Sequence, residues 1–462
     1  MKYPKEILVK DYFEIHNYYS KIYGYNRTII LIQVGSFHEI YSIYDNDNKL
    51  KINNNDINNN DIDDNNVGID LVYLSQKLDV CCTKKNSNLP LSKSNPKMIG
   101  FPIYVTHNFI EKLIDLDYTI ILIDQVSEPP NPKRDITNIY SPATYINKKN
   151  NNPLFLICIV LDKIKNTNNN QLCIGLASYD LSTGEGSIYE TYSKSDDTLL
   201  GLDNVNRFLE KYPPREIILI NNIKDDIINN MTYNDILGYF NIDYNIIYNF
   251  TIINHKQLSW QKKILESIYK IETNIDIIEF LGLQFYNWAR LSLVILLDYV
   301  ILHQPNLLEH LSIPTIFNND KYLFLGNKAL DQLNILTKNN ILHDYNKNNN
   351  ETNLLNIINY TKTSIGKRFL INQLTLPLIE PIEINNRYDI INNIIENKHY
   401  IKLVNYLEDI YDLDKLNRKI EINIINPFEL YQLYISFYQI IKILDYLINN
   451  NLNKYFNLKK KI

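Results

Sequence analysis

Val34-Gly35-Ser36-Phe37-His38-Glu39-Ile40-Tyr41 follows the apolar run Ile29-Ile30-Leu31-Ile32. The run predicts a buried strand, and Gly35 supplies the bend that ends it. Phe37 and Glu39 stand two residues apart, so on a strand both fall on one face. An aromatic and a carboxylate in that relation suit inspection of a DNA duplex. The ring can wedge between base steps, unstacking and kinking them at a cost of roughly a few kcal/mol. The carboxylate is repelled by phosphates and gains only by hydrogen-bonding a displaced base edge, so it acts in discrimination rather than affinity. The alternative is a core aromatic beside a solvated glutamate, because buried aromatics are common. Phe208-Leu209-Glu210 repeats the pattern in a segment that reads as an ordinary helix ending at Tyr212-Pro213-Pro214. The pattern alone does not decide.

Its surroundings add a resemblance. Gly35-Ser36-Phe37-His38-Glu39, then Met98-Ile99-Gly100-Phe101-Pro102, a helix from Phe109 to Ile114, and the strand Thr119–Val126 with its Asp124-Gln125 come in a fixed order. The run Pro129-Pro130-Asn131-Pro132-Lys133-Arg134 and Tyr140–Tyr145 complete it. This order resembles the N-terminal mismatch-binding domain of the MutS mismatch-repair family, most of all its divergent branch in giant viruses and octocoral mitochondria. The family pattern is Gly-x-Phe-Tyr-Glu, so His38 departs from the usual tyrosine. The resemblance implies that Phe37 is an intercalating wedge and Glu39 the partner of the displaced base. Gly35 and His38 join them as mismatch-binding candidates. Lys84, Lys85, Lys133 and Arg134 are the candidates for contacts to the DNA backbone.

Composition sets bounds on this reading. The 462 residues, 45% apolar, allow two to four domains with real cores. Isoleucine, asparagine, lysine and tyrosine are abundant, as an AT-rich coding sequence would produce. The net charge of −5 gives no hint of a nucleic-acid partner, and residues 1–150 hold 17 Lys/Arg against 18 Asp/Glu. Simple adhesion to phosphates through many Lys and Arg contacts is therefore a poor model. One basic run stands out, residues 77–97, with Lys77, Lys84, Lys85, Lys93 and Lys97 against Asp79. Cys81, Cys82, Cys158 and Cys173 lack metal-ligand spacing, and the last two fall in strand-like runs as core thiols. The N-terminus shows no signal-peptide pattern, so an intracellular, reducing compartment is expected. The longest apolar run, Leu291–Leu302, is short and carries Asp298, which predicts a core helix and no membrane association.

The predicted fold class is α/β followed by all-α, in three domains. Residues 1–150 form the mismatch-binding domain, with a helix at Asp70–Lys77 and a disordered Asn-rich insertion at about 45–66. A boundary falls at 147–153. Residues 151–254 form a second α/β domain, with strands at Leu154–Leu161 and Gln171–Tyr179 joined by an Asn-rich loop at 166–170. A tight turn at Asp180-Leu181-Ser182-Thr183-Gly184-Glu185-Gly186 comes next, then a helix near Asp203–Lys211 and the strand Glu216–Ile220. This resembles the ribonuclease H-like connector domain of the MutS family, whose Asp-Leu-Ser-Thr-Gly-Glu turn it matches. From 255 to 462 the pattern is helical, with helices over Gln261–Ile271 and Phe280–His303. Thr363-Ser364-Ile365-Gly366-Lys367-Arg368 resembles the family's core, stopping at Leu376-Pro377. Asn426-Pro427-Phe428-Glu429 starts a helix by its own logic, with Asn as cap, Pro at the first position and Glu three after the cap. Leu430, Leu433, Phe437, Ile440, Leu444 and Leu447 are expected to line its buried face.

Two rivals and one absence complete the expectations. Asp180, Glu185 and Glu190 can be read as metal ligands of a ribonuclease H-like nuclease, since two divalent ions serve phosphodiester cleavage on such folds. The bland alternative is a solvent-facing hairpin. A non-enzymatic scaffold that binds repair partners is the second rival. MutS proteins are ATPases, yet Ile365-Gly366-Lys367-Arg368 offers no P-loop, which needs Gly at 361 and Ser or Thr at 368 where Thr361 and Arg368 stand. No cofactor or metal is expected here, and ATP with magnesium belongs to the family's ATPase domain. The resemblance stops inside the helical core, which suggests a piece of a longer protein, a truncation or a split gene product. It also implies double-stranded DNA with mismatches or small loops as partner, a homodimer at full length, and repair factors bound through the connector.

Overall fold

The computed structural model describes residues 7, 9–43, 68–128, 130, 132–146, 153–165, 170–193, 197, 199–223, 231–240, 247–249, 257–270, 275–318, 321–323, 325, 329–336 and 353–452. The Asn-rich insertion, the boundary at 147–152, most of the Asn-rich loop at 166–170, Pro129 and Asn131 lie outside the described residues. The chain divides into two compact units. One is Met1–Lys148 with Ile247–Thr251 and Asp298–Pro305; the other is Lys149–Ile246, Ile252–Leu297 and Asn306–Ile462.

The first unit is a mixed sheet with helices on it. Its elements are α1 (Tyr12–Tyr23), β1 (Thr28–Val34), β2 (Phe37–Ser42), α2 (Leu71–Leu78), β3 (Thr83–Lys84), β4 (Lys97–Pro102), α3 (Thr106–Asp115), β5 (Thr119–Gln125) and β6 (Arg134–Tyr140). The strand order is β3-β4-β2-β1-β5-β6. The β1–β5 pair is parallel, and β2, β4 and β6 run antiparallel to their neighbours. Ile29 to Ile32 and Ile120, Ile121 and Ile123 are fully buried, as strands covered on both faces must be. Leu71, Leu74 and Leu78 of α2 and Ile110, Leu113 and Ile114 of α3 close the core from one side. Asp70 caps α2 by accepting from the Val72 and Tyr73 amides, which is why that helix starts where the sequence predicts.

This topology brings one set of strand ends together. β1 and β5 finish where β2 and β6 begin, and Phe37 lies opposite both Val34 and Pro102, the last residues of β1 and β4. The other end of β4 pairs Lys97 with Ser42 and with Lys84. Five residue steps, about 17 Å at strand rise, separate the two ends.

The second unit contains β7 (Phe155–Lys165), β8 (Asn170–Asp180), β9 (Glu185–Tyr192), α4 (Leu200–Lys211), β10 (Pro214–Asn221) and α5 (Tyr233–Phe240). Strands lie in the order β10-β7-β8-β9, with β10 parallel to β7 and the rest antiparallel. Cys158 and Cys173 are free, buried thiols, as expected; burial and nearby Asp162 push Cys173 up to about 12. Helices α6 (Leu258–Ile268), α7 (Ile277–Phe280) and α8 (Asn287–His303) follow, the part of α8 up to Leu297 belonging to this unit. A short strand, β11 (Thr315–Ile316), adds to β9. The helical remainder is α9 (Ala329–Gln332), α10 (Leu354–Ile358), α11 (Ser364–Thr375), α12 (Pro381–Glu396), α13 (Tyr400–Leu407), α14 (Leu413–Glu421) and α15 (Pro427–Asn449).

Two expectations are corrected, and one rival reading is not met among the described residues. The single helix over Phe280–His303 is two, because Gly282 takes φ +68 and the Glu190 carboxylate accepts from the Trp288 and Ala289 amides at 2.7 and 3.0 Å, starting α8 afresh. The buried face of α15 runs through Leu433, Ser436 and Leu447, while Leu430 and Phe437 are exposed. Its capping box at Asn426 and Glu429 is as predicted. Finally, Asp180, Glu185 and Glu190 do not gather into a metal site. Asp180 closes its own turn by accepting from Ser182, Glu190 caps α8, and Glu185 is exposed. Among the described residues no group of three potential metal ligands occurs, and no helix is long and apolar enough to cross a membrane.

Candidate nucleic-acid interface

A two-residue turn, Gly35-Ser36, joins β1 to β2. Gly35 has φ +60 and Ser36 does not share it, the pattern of a type II′ turn, which wants glycine first. Neighbouring side chains hold the turn. Gln33 donates to the Gly35 carbonyl at 3.0 Å, and the Gln125 side-chain oxygen accepts from the Gly35 amide at 3.2 Å and from Arg134 at 3.1 Å. Arg134 Nε also donates to the Gln33 carbonyl at 3.0 Å.

On this base β2 presents alternate residues to opposite faces. Phe37 is 46% exposed and Glu39 half-buried, with Tyr41 donating its hydroxyl to the Glu39 carboxylate. Phe208, in the other Phe-x-Glu, is fully buried in α4, and its Glu210 is pushed up to about 7 by burial, with Asp331 adding to it. One pair is therefore core, and the other offers its ring to solvent at a strand end.

His38 requires a correction. The sequence groups it with Phe37 and Glu39, but alternation turns it to the opposite face, where it is 2% exposed. Its Nδ1 lies 2.7 Å from Thr106 Oγ1 and its Nε2 2.8 Å from Asp124 Oδ1. Burial raises the Asp124 carboxyl, and the hydrogen bonds from His38 and Thr137 outweigh that, leaving it below its ordinary value. His38 thus ties β2 to β5 and to the start of α3. No local signal announces this, because Thr106 and Asp124 are 68 and 86 residues away.

The basic candidates separate. Lys133 and Arg134 open β6 beside Gln125, at the Phe37 end of the sheet; Lys133 is exposed and Arg134 half-buried in the network above. Lys84 and Lys85 are exposed at the opposite end.

In the helical region Arg368, where a P-loop would carry Ser or Thr, forks onto Asp412 at 2.6 and 2.9 Å and reaches Asp414 at 2.8 Å. Thr363 caps α11 by accepting from the Gly366 amide. This helix start is committed to structure.

Comparisons with known proteins identify the chain's family. A family model described as MutS domain I matches residues 68–149, and one described as MutS domain III matches 328–461. A putative DNA mismatch repair protein mutS homolog of Acanthamoeba polyphaga mimivirus is 30% identical over 451 residues, covering 92% of this chain and 38% of its own. The chain belongs to the MutS family. DNA mismatch repair protein MutS of Caldanaerobacter subterraneus is 26% identical, covering 81% of this chain and 40% of its own. That of Clostridioides difficile is 25% identical, covering 92% and 38%. The chain spans about two fifths of the length of these MutS relatives.

Proposed function

We propose that these 462 residues are the DNA-inspecting part of a MutS-type mismatch-repair protein, acting on double-stranded DNA with mispairs or small loops. In this reading residues 1–150 bind the mismatch, 151–254 are the ribonuclease H-like connector, and 255–462 are helical core. The names of the relatives support mismatch repair, and one observation supports the site: an aromatic side chain, Phe37, stands open to solvent on a braced strand end. ATP and magnesium enter this reading only through a portion of the protein other than these residues.

The energetics explain how such a site discriminates. Opening a matched base step costs roughly a few kcal/mol. Burying a phenylalanine completely returns about 1.5–3 kcal/mol, and Phe37 has only about half of its surface left to bury. The wedge therefore roughly breaks even or loses at a matched step. A mispaired base is already poorly paired and stacked, so its opening costs less and the balance turns favourable. Glu39 adds selectivity, because its charge is penalised near phosphates and rewarded only by an available base N–H. The Tyr41 hydroxyl holds one carboxylate oxygen, which fixes the direction of the other.

Titration of the protein with matched and singly mismatched duplexes tests this. Phe37→Ala should remove the preference for the mismatch, a loss of roughly 1–2 kcal/mol given the worth of base–aromatic stacking. Glu39→Ala should weaken discrimination while keeping or raising affinity for matched DNA. A mismatch preference that survives Phe37→Ala unchanged overturns the wedge. Partner binding without any dependence of DNA binding on Phe37 favours the scaffold instead.

A further inference from the structure

Tyr104 heads the exposed large hydrophobic side chains of the described residues, at 85%. It lies on a single 3-10 turn, Ile103–Val105, that follows Pro102 directly, and Pro102 is the cross-strand partner of Phe37. The turn is held at both ends. The Ile103 amide donates to the Ser36 carbonyl at 3.1 Å, joining it to the hairpin beneath Phe37. At its other end Thr106 is bound to His38, which is bound to Asp124. The backbone that carries the ring is held in this way, so meeting a partner costs only the ring's own rotamer freedom. Ile103 beside it is also exposed.

The chemistry of the surface indicates the occupant. With 17 basic against 18 acidic residues in 1–150, the unit has no cationic excess for holding a duplex. Contacts to phosphate must then draw on neutral donors as well as on the few cations at this end of the sheet, and tyrosine hydroxyls serve DNA backbones in that way. Tyrosine also offers an apolar body behind its polar tip.

We infer that Tyr104 is a second DNA-contact residue. Its ring covers a deoxyribose beside the step opened by Phe37, and its hydroxyl donates to a neighbouring phosphate oxygen. The inference rests on the proposal that the Phe37 end of the sheet faces DNA. A backbone contact of this kind exists on matched and mismatched duplexes alike. It adds affinity without selectivity and releases no counterion.

The test compares the full chain with its Tyr104→Phe, Tyr104→Ala and Phe37→Ala variants, titrated with matched and mismatched duplexes across a salt series. Tyr104→Phe should weaken binding to both duplexes about tenfold to a hundredfold, the worth of a hydrogen bond to a charged acceptor. The mismatch preference and the slope of log affinity against log salt should stay unchanged. Tyr104→Ala should weaken binding further, because the ring is lost as well. Tyr104→Phe and Tyr104→Ala both within twofold of the parent, while Phe37→Ala abolishes the preference, would overturn the Tyr104 contact and leave the wedge standing. Loss of affinity in both Tyr104 variants with an unaffected Phe37→Ala would retain the contact and overturn the wedge. Absence of binding to either duplex by the parent protein overturns both.

Discussion

His16 shows what a single buried side chain contributes. It is 2% exposed, with Nε2 3.2 Å from the Thr28 carbonyl and Nδ1 3.1 Å from Ser20 Oγ, an arrangement satisfied by neutral imidazole. Burial lowers it to about 4 against the opposing pull of the Thr28 carbonyl. In the unfolded chain it takes a proton near pH 6.5, so between there and pH 4 the unfolded state holds more protons and stability falls as pH falls. The expected loss from this group is on the order of 3 kcal/mol over that interval. Denaturant titrations at several pH values should therefore show a shallower acid dependence in His16→Phe than in the parent. Equal dependence would remove His16 from the account. Legibility at this scale was uneven. The shared strand face of Phe37 and Glu39 was readable because a strand's two-residue period is local. The burial of His38 was not readable because its partners come from β5 and α3, and nothing marks the exposed Tyr104 among 36 tyrosines.

Elements in the second unit are fitted more tightly than their sequence suggests. Gly175 on β8 faces the first turn of α8, and a Cβ there would lie 2.1 Å from the Trp288 carbonyl oxygen and 2.8 Å from the Ala289 amide nitrogen. Backbone cannot swing aside as a side chain does. Gly175→Ala should cost about 1–3 kcal/mol, seen as a lower denaturation midpoint, and an unshifted midpoint would mean that α8 is free to retreat. The sequence showed that both elements exist but not that they touch, because glycine's scarcity of atoms is silent until a neighbour is known. The same limit explains the merged helix over Phe280–His303. Its apolar run is continuous, and the carboxylate that restarts the helix, Glu190, comes from a distant strand. The capping box of α15, by contrast, is complete within four residues, and the sequence revealed it in full.

At the scale of the whole molecule, the basic residues sort by the sheet end they occupy. If DNA meets the Phe37 end, Lys133→Ala should weaken duplex binding and reduce the salt slope by about one. Lys84→Ala with Lys85→Ala should change neither. The reverse result would place the duplex at the other end of the sheet. That other end carries a second consequence. Ser42 finishes β2, its hydroxyl donates to the Ile69 carbonyl at 2.7 Å, and Gly68 lies against it. The described flanks of 44–67 are therefore stitched together at one point, remote from Phe37. Once such a stitch exists, doubling the enclosed length adds only about 0.6 kcal/mol of closure entropy. Lengthening the asparagine tract should therefore cost the fold little, and a fluorescent reporter spliced into it should leave both the denaturation midpoint and the duplex titrations unchanged.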